Sequence, residues 1–276
     1  MKRIIKYIMI IIIFIGTFFV KDNSFTNVGI AYNEDAKITD RIPVFTFHRL
    51  VPDDIKESKY KNNQWVGSID VFAQMMEYLY KNGYHTISSE ELYRWYKGEI
   101  ELDTKTVMIT FDDGFYEDYY LAYPILKKYN FHAISFVVGN RIKDITRPYD
   151  KNKTAYIGLD VINKVRKEYP KFEFQSHTYN MHYYTSNGKH RIKSMDIQDL
   201  ENDFIKNEKF GFNVMAYPYG DYNSKIQRVL ESQNYLLAFR FSPAAYALRT
   251  DNQYALGRIK INGEATVNTM IKWLDY

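Results

Sequence analysis

The 276-residue sequence predicts an α/β fold, a parallel sheet closed or nearly closed into a distorted (β/α) barrel of about seven strands. Three observations predict it. Apolar runs of strand length, such as "VFTF", "VMITF" and "AISFVV", alternate with stretches of helical period along the chain. Parallel strands need long crossover connections, usually helical, and this order supplies them. Lastly, the residues richest in chemistry follow directly on apolar runs, and the C-terminal strand ends of a barrel share one mouth.

The units run in order from Ile42. "IPVFTFH" is a strand ending at His48, and "SIDVFAQMMEYLYKNG" is a helix with Ser68 as N-cap and Gly83 as stop. Thr86-Ile87 and a helix over Ser89–Tyr96 follow, then a strand over Thr106–Phe111 and a helix from Phe115 to Tyr129. After the strand "AISFVV", a polar excursion over 140–154 leads to a helix near Leu159–Glu168. "FEFQSH" is a strand, Ile197–Lys209 a helix, "NVMAYPYG" a strand and turn, Ser224–Asn234 a helix and "YLLAFRF" a strand. "YALGRIKI" and "TVNTMIKWLDY" add a last strand and helix.

The N-terminus, "MKRIIKYIMIIIIFIGTFFVKDNS", has a basic start and then an apolar run from Tyr7 to Val20, the length of a signal-peptide core and short for a membrane span. Residues 1–20 are expected to be a signal peptide or, since no small-x-small cleavage site follows closely, an uncleaved anchor. The polar residues 21–41 read as a linker and 42–276 as the folded domain. The expected location is extracellular, cell-surface or membrane-associated after export.

Composition narrows the chemistry. With no cysteine, disulfides, thiolate metal sites and a cysteine nucleophile are excluded. A net charge of +4, spread without basic runs, argues against nucleic acid and leaves a weak attraction to an anionic cell surface. The 26 Tyr and 18 Phe suit a packed core or a surface that stacks on sugar rings.

In "KTVMITFDDGFYEDYY" a buried strand ends on Asp112-Asp113, two like charges that need open water or a cation. The barrel rule gathers His48, this pair, His177 and the turn Tyr217-Pro218-Tyr219-Gly220 at one mouth. "SHTYNMH" holds His177 and His182, a spacing that suits a strand end and a loop folding back. Two imidazoles and a carboxylate leave coordination positions open, a catalytic rather than a structural pattern. Asp113 is the natural carboxylate ligand, which leaves Asp112 to accept a proton from an attacking water. Glu117 and Asp118 read as the solvated first turn of the next helix.

"TFDDG", "SHTYNMH" and "AYPYG", in this order, resemble the motifs of the polysaccharide deacetylases, the carbohydrate esterase family 4 or NodB-homology group, over roughly Ile42 to the C-terminus. Most members have one residue fewer between the two histidines. The longer form and "FTFHRL" upstream are similar to the branch that removes N-acetyl groups from the biofilm exopolysaccharide poly-β-1,6-N-acetyl-D-glucosamine.

The resemblance implies the NodB type of distorted barrel, Asp112 as general base, and Asp113, His177 and His182 as ligands of one divalent metal, expected to be zinc, with cobalt, nickel or iron as alternatives. It implies His48 as the acid protonating the leaving amine, in place of a late Leu-x-His histidine that is absent from "LGRIKI". Tyr219 is the expected backbone donor to the oxyanion. The family's base-pairing arginine is missing from its usual place, where Asn213 and Val214 stand, and Arg258 is the expected substitute from the last strand. His85, His132 and His190 match no motif and are expected to be structural or exposed.

The activity so implied is metal-dependent hydrolysis of N-acetyl groups on a β-linked N-acetylglucosamine polymer by a monomer, releasing acetate. Two rivals remain open: the same chemistry on peptidoglycan or a chitin-like polymer, and a glycan-binding relative without catalysis. A serine hydrolase is disfavoured, since no Gly-x-Ser-x-Gly turn exists.

Overall fold

Eight short strands rich in Val, Ile, Phe and Thr make the central sheet of the computed structural model, which describes residues 37–241 and 244–274. They are β1 (Val44–Phe47), β2 (His85–Thr86), β3 (Thr106–Asp113), β4 (Ala133–Val137), β5 (Phe172–Ser176), β6 (Val214–Ala216), β7 (Leu237–Phe239) and β8 (Ile259–Lys260). The order is β7-β6-β5-β4-β3-β1-β8, with β2 beside the start of β3, and every pairing is parallel. The sheet curls until one segment borders both edges: Leu256 N donates to Ala238 O at 3.0 Å, and Ile261 N donates to Thr46 O at 2.9 Å. The result is the distorted (β/α) barrel that the alternation predicts.

The two faces of the strands follow a period of two. Val107, Ile109 and Phe111 of β3 pack outward with Phe72, Met75, Met76 and Leu79 of α1 (Ile69–Lys81). Met108 joins Val44, Ile134, Phe136, Val214 and Phe239 in a separate cluster that fills the barrel. Thr110, next on that inner face, shares a 3.0 Å hydrogen bond with Thr46. Asp112 comes next in the same register, so the inner face that is apolar at the bottom becomes acidic at the mouth.

Two helix starts show how side-chain caps hold them. Ser68 Oγ accepts from Val71 N ahead of α1, and Ser88 with Glu91 forms a capping box on α2 (Ser89–Tyr96). The remaining crossovers are α3 (Tyr123–Lys128), α4 (Leu159–Glu168), α5 (Ile197–Glu208) and α6 (Ser224–Ser232), and α7 (Val267–Ile271) follows β8.

Three expectations need correction. Strand β3 continues through both aspartates, because Asp112 and Asp113 pair with Phe136 and Val137 of β4. The following helix begins at Tyr116, beside the expected Phe115, and passes through a π-helical turn at Asp118–Ala122, but Glu117 and Asp118 are buried rather than solvated. Glu117 is held by Arg49 Nε at 2.8 Å, and Asp118 accepts from Ser135 Oγ at 2.9 Å. Backbone pairing starts before Ile42: Thr104 N donates to Lys37 O and Thr39 N to Leu102 O, each at 2.9 Å. The export segment of residues 1–20 and most of the linker lie outside the described residues, among which no helix is long and apolar enough to cross a membrane.

Candidate active site at the barrel mouth

The two aspartates that end β3 part company through the backbone. Asp113 has φ 77° and Gly114 has φ 68°, both in the left-handed region. A Cβ at position 114 would lie 2.6 Å from Val137 Cγ1 and 3.1 Å from its Cα, so only glycine allows this turn against β4. A non-glycine residue at positive φ carries strain of the kind that gathers at functional sites.

Asp113 faces the two histidines. Its Oδ1 lies 3.1 Å from His182 Nε2 and 4.0 Å from His177 Nε2, and one ligand atom from each of the three residues falls within 4.8 Å of the others. The five-residue separation is bridged by a tight loop. Thr178 takes φ 65°, and Asp203 of α5 accepts from Tyr179 N at 2.7 Å and Asn180 N at 2.8 Å.

These residues fit a divalent ion. His177 Nδ1 hydrogen-bonds Ala216 O at 2.8 Å, which makes Nδ1 the protonated nitrogen and leaves the Nε2 lone pair facing Asp113 and His182. Burial pushes the His177 imidazole down to about 4, so it is neutral and ready to ligate at pH 7.

Asp112 meets a different partner. Arg258 donates to both its oxygens, Nη1 to Oδ1 at 2.7 Å and Nη2 to Oδ2 at 2.8 Å, and Nε donates to Arg240 O at 3.2 Å. Asp112 is 3% exposed and Arg258 0%. Burial opposes ionisation of Asp112; Arg258, His177 and His48 together outweigh it and hold the carboxyl well below the usual range. Asp112 is thus a fixed anion, backed from inside the barrel by the Arg258 guanidinium, which lies 5.5 Å from the Phe136 ring centroid.

His48 stands across the mouth between Trp65 (4.8 Å between ring centroids) and Phe241 (5.6 Å). Its proton affinity is lowered, first by burial, with Asp112 and Asp113 opposing. Tyr219 has φ 60°, and its ring lies 4.6 Å from that of His182. Tyr217 of the same turn is buried, with its hydroxyl donated to Tyr254 O at 2.8 Å. His48, Asp112, Asp113, His177, His182 and Tyr219 all line one cleft of 510 Å³, while Arg258 sits behind Asp112 without lining it.

Sequence reasoning missed several participants. His190 stacks on Tyr219 at 4.1 Å and 10°, and its Nδ1 is held by Asp221, whose other oxygen takes Lys193 Nζ at 2.9 Å. It is therefore a structural histidine, as expected, whose stack supports the mouth residue Tyr219. Arg49, 4% exposed, ties the cleft walls together through Glu117, Tyr60 Oη at 2.8 Å and Thr154 Oγ1 at 3.1 Å. Arg141 Nη1 lies 3.4 Å from Asp113 Oδ1. None has a short motif, since each partner arrives from a distant segment.

Fold and site together define a barrel whose mouth sets a two-histidine, one-carboxylate cluster able to hold a metal ion beside a buried carboxylate paired with an arginine. The polysaccharide deacetylase family model matches residues 99–238, about half of the chain, and the protein belongs to that family. Poly-beta-1,6-N-acetyl-D-glucosamine N-deacetylase of Staphylococcus aureus (strain MRSA252) is 26% identical over 232 residues, covering 79% of this chain and 71% of that protein. YxkH of Bacillus subtilis (strain 168) is 27% identical over 193 residues, 69% of this chain and 64% of that one. Among solved structures, IcaB from Ammonifex degensii superposes with a TM-score of 0.71 at 24% identity, covering 87% of this chain and 100% of that one. The Streptococcus pyogenes deacetylase PplD gives a TM-score of 0.71 at 23% identity, covering 86% and 99%. These two likenesses establish the fold.

Proposed function

We propose that the protein removes N-acetyl groups from poly-β-1,6-N-acetyl-D-glucosamine by metal-dependent hydrolysis, releasing acetate and leaving free amines on the polymer. The observation that carries this reading is the Asp112–Arg258 pair standing beside the ligand set Asp113, His177 and His182 at one mouth. The substrate is suggested by the name of the Staphylococcus aureus relative and by the one-residue-longer "SHTYNMH" motif.

Asp113, His177 and His182 would hold one divalent ion, for which zinc suits two imidazoles and a carboxylate, and when bound it supplies Lewis-acid polarisation of the acetyl carbonyl and acidification of water. Asp112, ionised and fixed by Arg258, accepts a proton from the water attacking the carbonyl carbon. The Tyr219 backbone N–H donates to the oxygen that becomes negative in the tetrahedral state. As the C–N bond breaks, a protonated His48 gives its proton to the departing amine. Aromatic walls at Trp65, Tyr184 and Phe241 offer faces to sugar rings. Export to the cell surface belongs to the same proposal and rests on the apolar run of residues 7–20.

The test is acetate release by the metal-loaded chain from defined β-1,6- and β-1,4-linked N-acetylglucosamine oligomers. Faster release from the β-1,6 series is expected. Preference for β-1,4 oligomers would move the substrate to peptidoglycan or chitin, and no release from either would point to glycan binding without catalysis.

A further inference from the structure

A second cleft, of 470 Å³, opens beside the first and shares Thr154, Tyr156 and His182 with it. A polymer seated with one sugar over the Asp113 centre has a path into this arm. The charges lining it are Arg141, Lys143 and Arg147, with no carboxylate among its lining residues. Lys143 and Arg147 are exposed and make no ion pair among the described residues; Asp144, exposed between them in sequence, does not line the arm.

The loop carrying these cations is held firmly. Leu159 N donates to Lys143 O at 2.8 Å, Thr146 Oγ1 donates to Asp160 Oδ1 at 2.6 Å, and Gly158 N donates to Thr146 Oγ1 at 2.9 Å. A Cβ at position 158 would come within 2.8 Å of Lys143 O, so close packing of the loop on the start of α4 depends on that glycine. Arg141 is fixed between Asp113 and the Tyr156 ring, 4.7 Å from its centroid. Like charges are therefore displayed from a backbone already ordered, which lowers the cost of binding a counter-charge. Tyr156 and Tyr183, the latter 43% exposed, add faces for a sugar ring.

We infer that this arm is a subsite for an oxyanion substituent, a carboxylate or a phosphate ester, carried by a sugar near the one that loses its acetyl group. The inference rests on the deacetylase reading and sharpens its substrate class. A stretch already deacetylated carries ammonium groups, which the arm repels, whereas an acidic substituent answers its charge. The arm thereby selects acetylated, anion-bearing segments over the enzyme's own product.

The test uses the metal-loaded full chain and three β-1,6-linked N-acetylglucosamine oligomers of equal length: unsubstituted, O-carboxymethylated and O-phosphorylated. At low salt, kcat/KM for an anionic oligomer is expected to exceed that for the unsubstituted one by about ten-fold, the sum of two or three partly exposed charge pairs. The better of the two anions tells carboxylate from phosphate ester. Raising ionic strength should shrink the ratio, and the double variant Lys143→Glu/Arg147→Glu should bring it to one or below. A wild-type ratio near one, or a ratio the double variant leaves intact, overturns the inference. Should no oligomer release acetate, the activity reading fails by itself, and calorimetric binding of the same oligomers to Asp112→Asn decides the subsite. Tighter binding of an anionic oligomer, lost on adding the charge reversals, supports it; equal binding of all three sinks it.

Discussion

Replacing Arg258 with methionine removes the charge behind Asp112 while keeping an unbranched apolar side chain of comparable reach. With charge centres roughly 4 Å apart and an effective dielectric of about 20, the pair's attraction is about 4 kcal/mol. Its loss should raise the proton affinity of Asp112 by roughly a thousand-fold. Burial, the largest influence on this carboxyl, then acts unopposed by the guanidinium and favours the neutral form. In the wild type the folded value lies below the unfolded one. Ionic stabilisation is therefore full above the unfolded value of 3.8 and is lost only as pH falls through the folded value. In Arg258→Met a thousand-fold rise brings the folded value up to about the unfolded one, so the variant no longer has this stabilisation to lose as pH falls. Breaking a buried pair by removing one partner costs about 3–5 kcal/mol, a fall in Tm of about 6–20 °C for a domain of this size. Scanning calorimetry should show a larger Tm deficit at pH 7 than at pH 3, where the wild type has begun to lose its ionic stabilisation. The pH profile of kcat/KM for acetate release should gain an acid limb, displaced upward from the wild type's, because the base must lose its proton to act. A variant with wild-type rate, an unchanged acid limb and a pH-independent Tm deficit would refute the idea that Arg258 keeps Asp112 ionised.

The two aspartates should separate in a metal assay: Asp113→Asn, His177→Ala and His182→Ala lose both bound metal and turnover, whereas Asp112→Asn keeps its metal and loses turnover. Elemental analysis of dialysed protein checks this, and acetate release at full rate by metal-free wild type would contradict it. Asp118 is expected to be neutral when folded, since burial raises its carboxyl well above the usual range against the Ser135 hydrogen bond. Asp118→Asn should then unfold at an equal or higher urea concentration than wild type at pH 8, with any gain shrinking towards pH 4, and a lower midpoint at pH 8 would show that ionised Asp118 is needed. His190→Ala should lower kcat by up to about ten-fold, the worth of one aromatic stack, with KM and metal content unchanged, because it frees the ring of Tyr219, whose backbone N–H is the proposed donor to the transition-state oxyanion. His190→Phe keeps a ring against Tyr219 and should recover most of the rate; no recovery would mean that the hydrogen bond to Asp221, rather than the stack, does the positioning.

Whether a residue of this barrel was legible depended on the range of the interactions that hold it. The strand ends were legible because the period of two is local: Val107, Ile109 and Phe111 face the helices, so Met108, Thr110 and Asp112 must face the interior, and the acidic pair falls where the apolar face runs out. His177 and His182 could be read from the break between "FEFQS" and the loop after it. What local pattern does not carry is the countercharge. Glu117 and Asp118 look like a helix start favoured by its dipole, yet Arg49 reaches Glu117 from 68 positions away and Ser135 approaches Asp118 from the neighbouring strand, so both acids are buried. The same applies to His190, which stacks on Tyr219 and is held by Asp221, 31 residues on. Arg258, which lies 146 residues from its partner, could be singled out only because the expected arginine was absent at Asn213 and Val214 and an ionised buried acid must be paired by something. A missing partner for a necessary charge is thus a sequence signal in its own right, one that says a cation must arrive without saying from where.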